Sequence, residues 1–158
     1  MRGPLLLIVG DGPNKWDDLE AFWRLDPGPH EVCCINRAGL LFPCDFRFWC
    51  SFHADELAAW GQQRPGPELH SSREHPGVRS WPDAVTDGGS SMVALSIALA
   101  HWGFPRVVLA GVPLSGEYAV KFGGKWRDTA HLFAAATRSM SGLTGKLFGR
   151  PTAKFVGG

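Results

Sequence analysis

Short groups of glycine, serine, asparagine and histidine punctuate the chain in a pattern suited to holding an anion or a nucleotide: Gly10-Asp11-Gly12-Pro13-Asn14, Asn36-Arg37, His53, Gly88-Gly89-Ser90-Ser91 and Gly111-Val112-Pro113. Gly10 and Gly12 let backbone N–H groups approach an anion, and a helix opening near Asn14 turns its positive end toward it. A tight strand-to-helix turn asks for glycine as well, and the spacing is not Gly-x-Gly-x-x-Gly. Gly88 to Ser91 combine a flexible turn, two hydroxyls and a helix start; N-capping by Ser90 is the plainer account of the same residues. The amide of Asn36 both donates and accepts, which suits a base edge, a ribose hydroxyl or an Asx turn. His53 and His131 titrate near neutrality and are the acid/base candidates, although neither has a recognisable partner in sequence. Tyr118, the only tyrosine, falls in a segment over 111–126 expected to be a mobile loop over a ligand, and Trp81 and Trp126, also expected in loops, offer faces on which a base can stack.

These groups need elements to carry them. Residues 5–9 form a continuous apolar run ended by glycine, as expected of a central parallel strand. A helix is expected over 16–25, with Asn14 near its N-cap, Asp17 and Asp18 in its first turn and Leu19, Phe22 and Trp23 as its apolar stripe. Strands are expected over 31–35 and 46–52, a helix over 54–63, then Gly- and Pro-rich loops over 61–89 around short strands near Leu69 and Val78. A helix over 90–102 ends at Gly103 and Pro105, a strand follows over 107–110, a helix over 129–140, and a last turn or two over 143–148. This alternation implies an α/β fold, a single Rossmann-like three-layer domain over 1–150 with a mostly parallel sheet and right-handed crossovers, followed by a short tail over 151–158. In such a sheet ligands bind outside the carboxyl ends of the strands, where strand order reverses, and there the punctuating groups fall.

Composition narrows the classes. At 158 residues, 44% hydrophobic and 20% charged, the chain is neither disordered nor a coiled coil, and 20 Gly with 12 Pro imply many tight connections. A net charge of +1 argues against binding nucleic acid by bulk electrostatics, although from residue 121 onward seven basic side chains face the single acid Asp128. No apolar run reaches the ~18 residues of a membrane span. Cys33, Cys34, Cys44 and Cys50 are expected as buried free thiols in a reducing cytoplasm, with no CxxC pair and no metal site. Homo-oligomerisation is compatible with the tryptophan content and the Gly-rich end.

The ordered set Leu-Ile-Val-Gly-Asp-Gly-Pro-Asn, Cys-Ile-Asn-Arg and Gly-Gly-Ser-Ser-Met-Val-Ala-Leu, with its continuation to Leu-Ala-Gly-Val-Pro-Leu, resembles the Rossmann-like group of family 42 sialyltransferases and archaeal pterin pyrophosphokinase-like proteins, over residues 5 to 114. Three positions depart from that pattern: Asn14 stands for Ser, Gly88 to Ser91 only approximate the Ser/Thr-Ser-Gly helix start, and Pro113 replaces an Asp. From Arg138 to Thr152 the chain is similar to uncharacterised phage and prophage proteins. The resemblance implies that Gly10, Gly12, Asn14, Asn36, Ser90 and Ser91 hold a cytidine nucleotide; Asp11, Gly89 and Gly111, on the same rim loops, complete the expected nucleotide-binding set. It also implies His131, the only histidine downstream of the core, as base toward an acceptor hydroxyl; in a transferase of that kind the basic stretch over 121–127, with Lys125 and Arg127, would neutralise the leaving phosphate and Tyr118 or Arg127 would stabilise it as it departs. The function expected on that basis is nucleotide binding, as in a small glycosyltransferase-like enzyme using a CMP-type donor without metal. The alternatives are a non-catalytic phage-derived binding or assembly module and a phosphoryl transferase, for which Asp11, Asp87 and Glu117 are the nearby acids. An S-adenosylmethionine methyltransferase lacks the expected acid after the second strand, where Asn36 stands.

Overall fold

A computed structural model describes residues 3–157. Seven strands, β1 (Leu5–Val9), β2 (His30–Ile35), β3 (Phe48–Cys50), β4 (Glu68–Ser71), β5 (Arg79–Ser80), β6 (Arg106–Ala110) and β7 (Thr137–Ser139), form one sheet in the order β5-β4-β3-β2-β1-β6-β7. Every named pair is parallel. The helices are α1 (Lys15–Arg24), α2 (Ala38–Leu41), α3 (Ala54–Gln63), α4 (Ser90–Ile97), α5 (Glu117–Phe133), α6 (Gly142–Phe148) and α7 (Ala153–Val156). The protein is therefore the α/β, three-layer Rossmann-like fold.

The two faces of β1 explain the layering. Successive side chains of a strand point to opposite sides. Leu6 and Ile8 meet α4 and α5 through Met92, Val93, Leu95, Trp126 and Phe133, whereas Leu5, Leu7 and Val9 meet α1, α2 and α3 through Leu19, Phe22, Ala38 and Leu57. Cys33 and Cys34 separate in the same way, and both are buried, as is Cys50; Cys44 is exposed, contrary to the expectation of four buried thiols, because it lies in the turn before β3. Burial is the main cause that pushes the Cys33 and Cys34 thiols well above their ordinary value.

Several expected boundaries move. The strand expected over 46–52 pairs only from Phe48 to Cys50. The helix expected over 90–102 is present, but its last stretch, Ala98–Trp102, is π-helical before Gly103 ends it at φ 73°. Most of the loop expected over 111–126 is helix α5, which begins at Glu117, and the helix expected over 129–140 gives way after Phe133 to β7. Thr137-Arg138-Ser139 carries no apolar run that marks a strand, yet Thr137 and Ser139 are buried and β7 completes the β6 edge. The segment beyond 150 is docked on the domain: Val156 is fully buried, Gly28 N–H donates to its carbonyl, and Arg106 donates to the carbonyls of Phe155 and Gly157.

Gly39 is fixed by packing. A Cβ there would stand 2.1 Å from Cε2 of Trp49, which is fully buried and donates through Nε1 to the Asn36 carbonyl at 2.7 Å. Gly39→Ala is expected to destabilise the fold by about 1–3 kcal/mol, read as a lower urea midpoint, whereas Gly124→Ala, where a Cβ meets nothing within 4 Å, leaves the midpoint in place or raises it.

Candidate functional site

The strand order places the reversal between β1 and β6: the chain leaves β1 toward β2 and leaves β6 toward β7. The two exits are held together by main chain. Gly10 N–H donates to the Ala110 carbonyl at 2.8 Å and Gly12 N–H to the Gly111 carbonyl at 2.9 Å. The approach admits no side chain, since a Cβ on Gly10 would lie 2.5 Å from the Gly111 oxygen, and Gly111 itself has φ 68°. Beneath this junction lies the carboxylate of Asp18, buried on the first turn of α1. Its Oδ2 accepts from Gly111 N–H and from Ser141 Oγ–H, both at 2.8 Å, and from Asn14 Nδ2 at 3.1 Å. On the far side Thr144, fully buried, donates to the Val112 carbonyl, and Leu143 N–H to that of Pro113.

Above the junction a solvent-open cleft lies between the β1 and β6 exits and the start of α4. Its polar wall is formed by Asp11, Asn36, Ser90, Ser91 and Ser115; Leu114, Tyr118 and Phe122 form an aromatic and apolar wall. The start of α4 presents free donors. Gly89, at φ 84°, is the N-cap, its carbonyl accepts from Met92 and Val93, and the N–H groups of Ser90 and Ser91 have no partner among the described residues. Asn36, at φ 52°, is oriented by Ser51 Oγ–H donating to its Oδ1 at 2.6 Å, which leaves Nδ2 without a bond among the described residues. Tyr118 stacks on Phe122 with ring centroids 6.2 Å apart and planes 17° from parallel.

Most of the expected nucleotide residues converge here. Asp11, Gly12, Asn36, Gly89, Ser90, Ser91 and Gly111 line the cleft, as does Tyr118. Gly10 supports it from below. Asn14 does not line it: its side chain makes no cap bond and turns inward to Asp18 and Ser141. Ser90 is not the capping residue; its Oγ accepts from Phe52 N–H at 2.9 Å and joins α4 to the end of β3. Tyr118 stands on the first turn of α5 rather than on a loop, and Trp126, expected on a loop as a stacking face, is fully buried with Nε1 donating to the Gly88 carbonyl. Trp81 stacks on His101 at 4.4 Å, away from the cleft.

The expected catalytic and leaving-group residues do not gather at the cleft. His131 is exposed on the last turn of α5; thirteen residues separate it from Tyr118, about 20 Å along a helix axis. Arg127 is exposed and faces Gly123 and α6, while Lys125 pairs with Asp87 at 3.2 Å at the rim beside Gly88. Leu114, Ser115 and Phe122 were not expected. The i, i+4 spacing of Tyr118 and Phe122 was the available signal, usable only once a helix is placed there. Comparison with protein-family models, with curated proteins and with solved structures finds no match to this chain.

A second polar cluster lies at the sheet edge. His70, buried on β4, bonds Glu68 Oε1 through Nε2 at 3.3 Å and accepts from Trp81 Nε1 at 3.0 Å on Nδ1, an arrangement that suits the neutral ring. Burial is the largest influence on it and holds its pKa below the ordinary 6.5, against the opposing pull of Glu68. Because the unfolded chain binds this proton more readily, stability is complete above about pH 6.5 and falls as pH drops from there toward the folded-state value. His70→Gln is expected to flatten that part of the stability–pH curve measured by urea unfolding. Asp18→Ala, which strands three inward donors, is expected to cost on the order of 3 kcal/mol at neutral pH, with Asp18→Asn milder.

Proposed function

We propose that the cleft at the β1–β6 junction binds a nucleotide. Its phosphate rests on the free N–H groups of Ser90 and Ser91 and on the Ser91 hydroxyl, its ribose or base edge meets Asn36, and its base lies along the Tyr118–Phe122 wall. The observation that carries this reading is the coincidence, at the reversal point of a parallel sheet, of a helix start with unpartnered amides, an oriented side-chain amide and an aromatic pair of exposed Tyr118 on half-buried Phe122. The resemblance noted above favours a cytidine nucleotide of the CMP type, in the bound form of an activated sugar donor.

One observation favours binding without turnover. Among the described lining residues there is no histidine, lysine or arginine, and the one carboxylate, Asp11, is paired with Lys15 at 3.4 Å. The transferase reading therefore has Asp11 as its proton acceptor, not His131, and phosphoryl transfer with magnesium has a single lining carboxylate to hold the metal.

Thermal unfolding with CMP, CDP, UDP, ATP and S-adenosylmethionine separates these readings. CMP at 100 times its dissociation constant is expected to stabilise the protein by about 2.7 kcal/mol. Asn36→Ala and Ser91→Ala are each expected to weaken it about tenfold, the loss of one hydrogen bond to a charged or polar group. His131→Ala is expected to leave both binding and any donor hydrolysis unchanged. No shift with any of the five would remove the nucleotide reading.

A further inference from the structure

Two arginines stand at the carboxyl edge of the sheet with nothing to neutralise them. Each is the second residue beyond a strand: Arg37 follows β2 and Arg73 follows β4. Arg24 and Arg47 pair with glutamates, and Arg64, Arg106 and Arg138 donate to backbone carbonyls; Arg79, Arg127 and Arg150 also make no ion pair among the described residues, but none of them directly follows the carboxyl end of a strand. Arg37 and Arg73 are exposed and make no ion pair among the described residues, although Asp55, Glu56 and Glu74 lie on the same edge. Arg73 is nevertheless held in place, its guanidinium 4.0 Å from the centroid of the Phe52 ring.

Neither lines the cleft, but each is one step from its wall. Arg37 adjoins Asn36, a lining residue, and the N–H of Phe52, which carries the stacked Arg73, donates to Ser90 Oγ on the opposite wall. Since β3 lies between β2 and β4, and neighbouring strands are about 4.8 Å apart, a group over the end of β3 has a guanidinium rooted one strand away on either side. His53 caps α3 at that same place. Among the described lining residues of the cleft there is no cation, so these two guanidinium groups are the cations nearest in the chain to its Asn36 side.

We propose that the ligand carries a second phosphate, on its ribose, and that Arg37 and Arg73 bind it over the end of β3. The substrate class is thus a ribose-phosphorylated nucleotide, a nucleoside 3′,5′- or 2′,5′-bisphosphate or a larger molecule ending in one. This rests on the cleft reading above, since Asn36 places the ribose. Guanidinium suits the role because its planar fork pairs two N–H groups with phosphate oxygens, and an arginine near the end of the second strand is the usual means by which a Rossmann-like site accommodates a ribose phosphate.

Calorimetric titration of the full chain with cytidine 5′-monophosphate and cytidine 3′,5′- and 2′,5′-bisphosphate, and with the corresponding adenosine series, tests it. At least one bisphosphate is expected to bind about tenfold or more tightly than its monophosphate, about 1.4 kcal/mol. The Arg37→Ala/Arg73→Ala double variant is expected to lose that preference while keeping monophosphate affinity. Inorganic phosphate, titrated alone, is expected to show no comparable affinity. Equal affinity for mono- and bisphosphates, or a preference that survives in the double variant, overturns the second-phosphate proposal and leaves the cleft reading standing. Failure of every nucleotide to bind overturns both.

Discussion

The carboxylate of Asp18 is the interaction on which the arrangement of this protein turns. One buried oxygen accepts from a glycine amide at the end of β6, from a serine hydroxyl before α6 and from an asparagine amide before α1. Three segments far apart in sequence thereby share one acceptor, which desolvation makes costly to leave unmatched. Gly111 N–H donates to Asp18 while its carbonyl accepts from Gly12, so the exits of β1 and β6 are held against each other and against α1. The cleft is what remains above that closure.

This construction sets the character of the site. Where two backbones approach as closely as Gly10 and Gly111, side chains are excluded, so the floor is main chain and the walls are small polar or aromatic groups. The one charged side chain among the described lining residues, Asp11, is paired with Lys15; Asp87 with Lys125, and Arg37 and Arg73, lie outside the lining. A ligand in such a cleft is met by amides and hydroxyls rather than by ion pairs. That favours a phosphate at a helix end, where backbone N–H groups supply the field.

The legible elements were those whose local chemistry agrees with their place in the fold. The apolar run of β1, buried on both faces, and the helical segment from Ser90 to its end at Gly103 are read from residues alone, although the N-cap is Gly89 and not Ser90. The convergence of Asp11, Gly12, Asn36, Ser90, Ser91 and Gly111 followed from one rule about the carboxyl ends of parallel strands. The C-terminal third was read less well, for identifiable reasons. Gly123 and Gly124 weaken the local helix signal where α5 runs, since glycine disfavours helix, and α5 is held instead by the burial of Trp126 and Phe133. β7 is short and polar, and its strand character comes from pairing with β6.

The sequence by itself therefore determined the class of fold and the rim on which its punctuating residues meet, because strand alternation and glycine-ended apolar runs are local properties that a parallel sheet translates into one edge. Only the tertiary structure decided which side chains reach that edge. It turned Asn14 away toward Asp18, tied Ser90 to Phe52, brought Tyr118 and Phe122 over the cleft and left His131 at the far end of the same helix. Those outcomes depend on which buried donors and acceptors find one another across the chain, and hydrogen bonds between residues as distant as Asn14 and Ser141 leave no mark on the spacing of either.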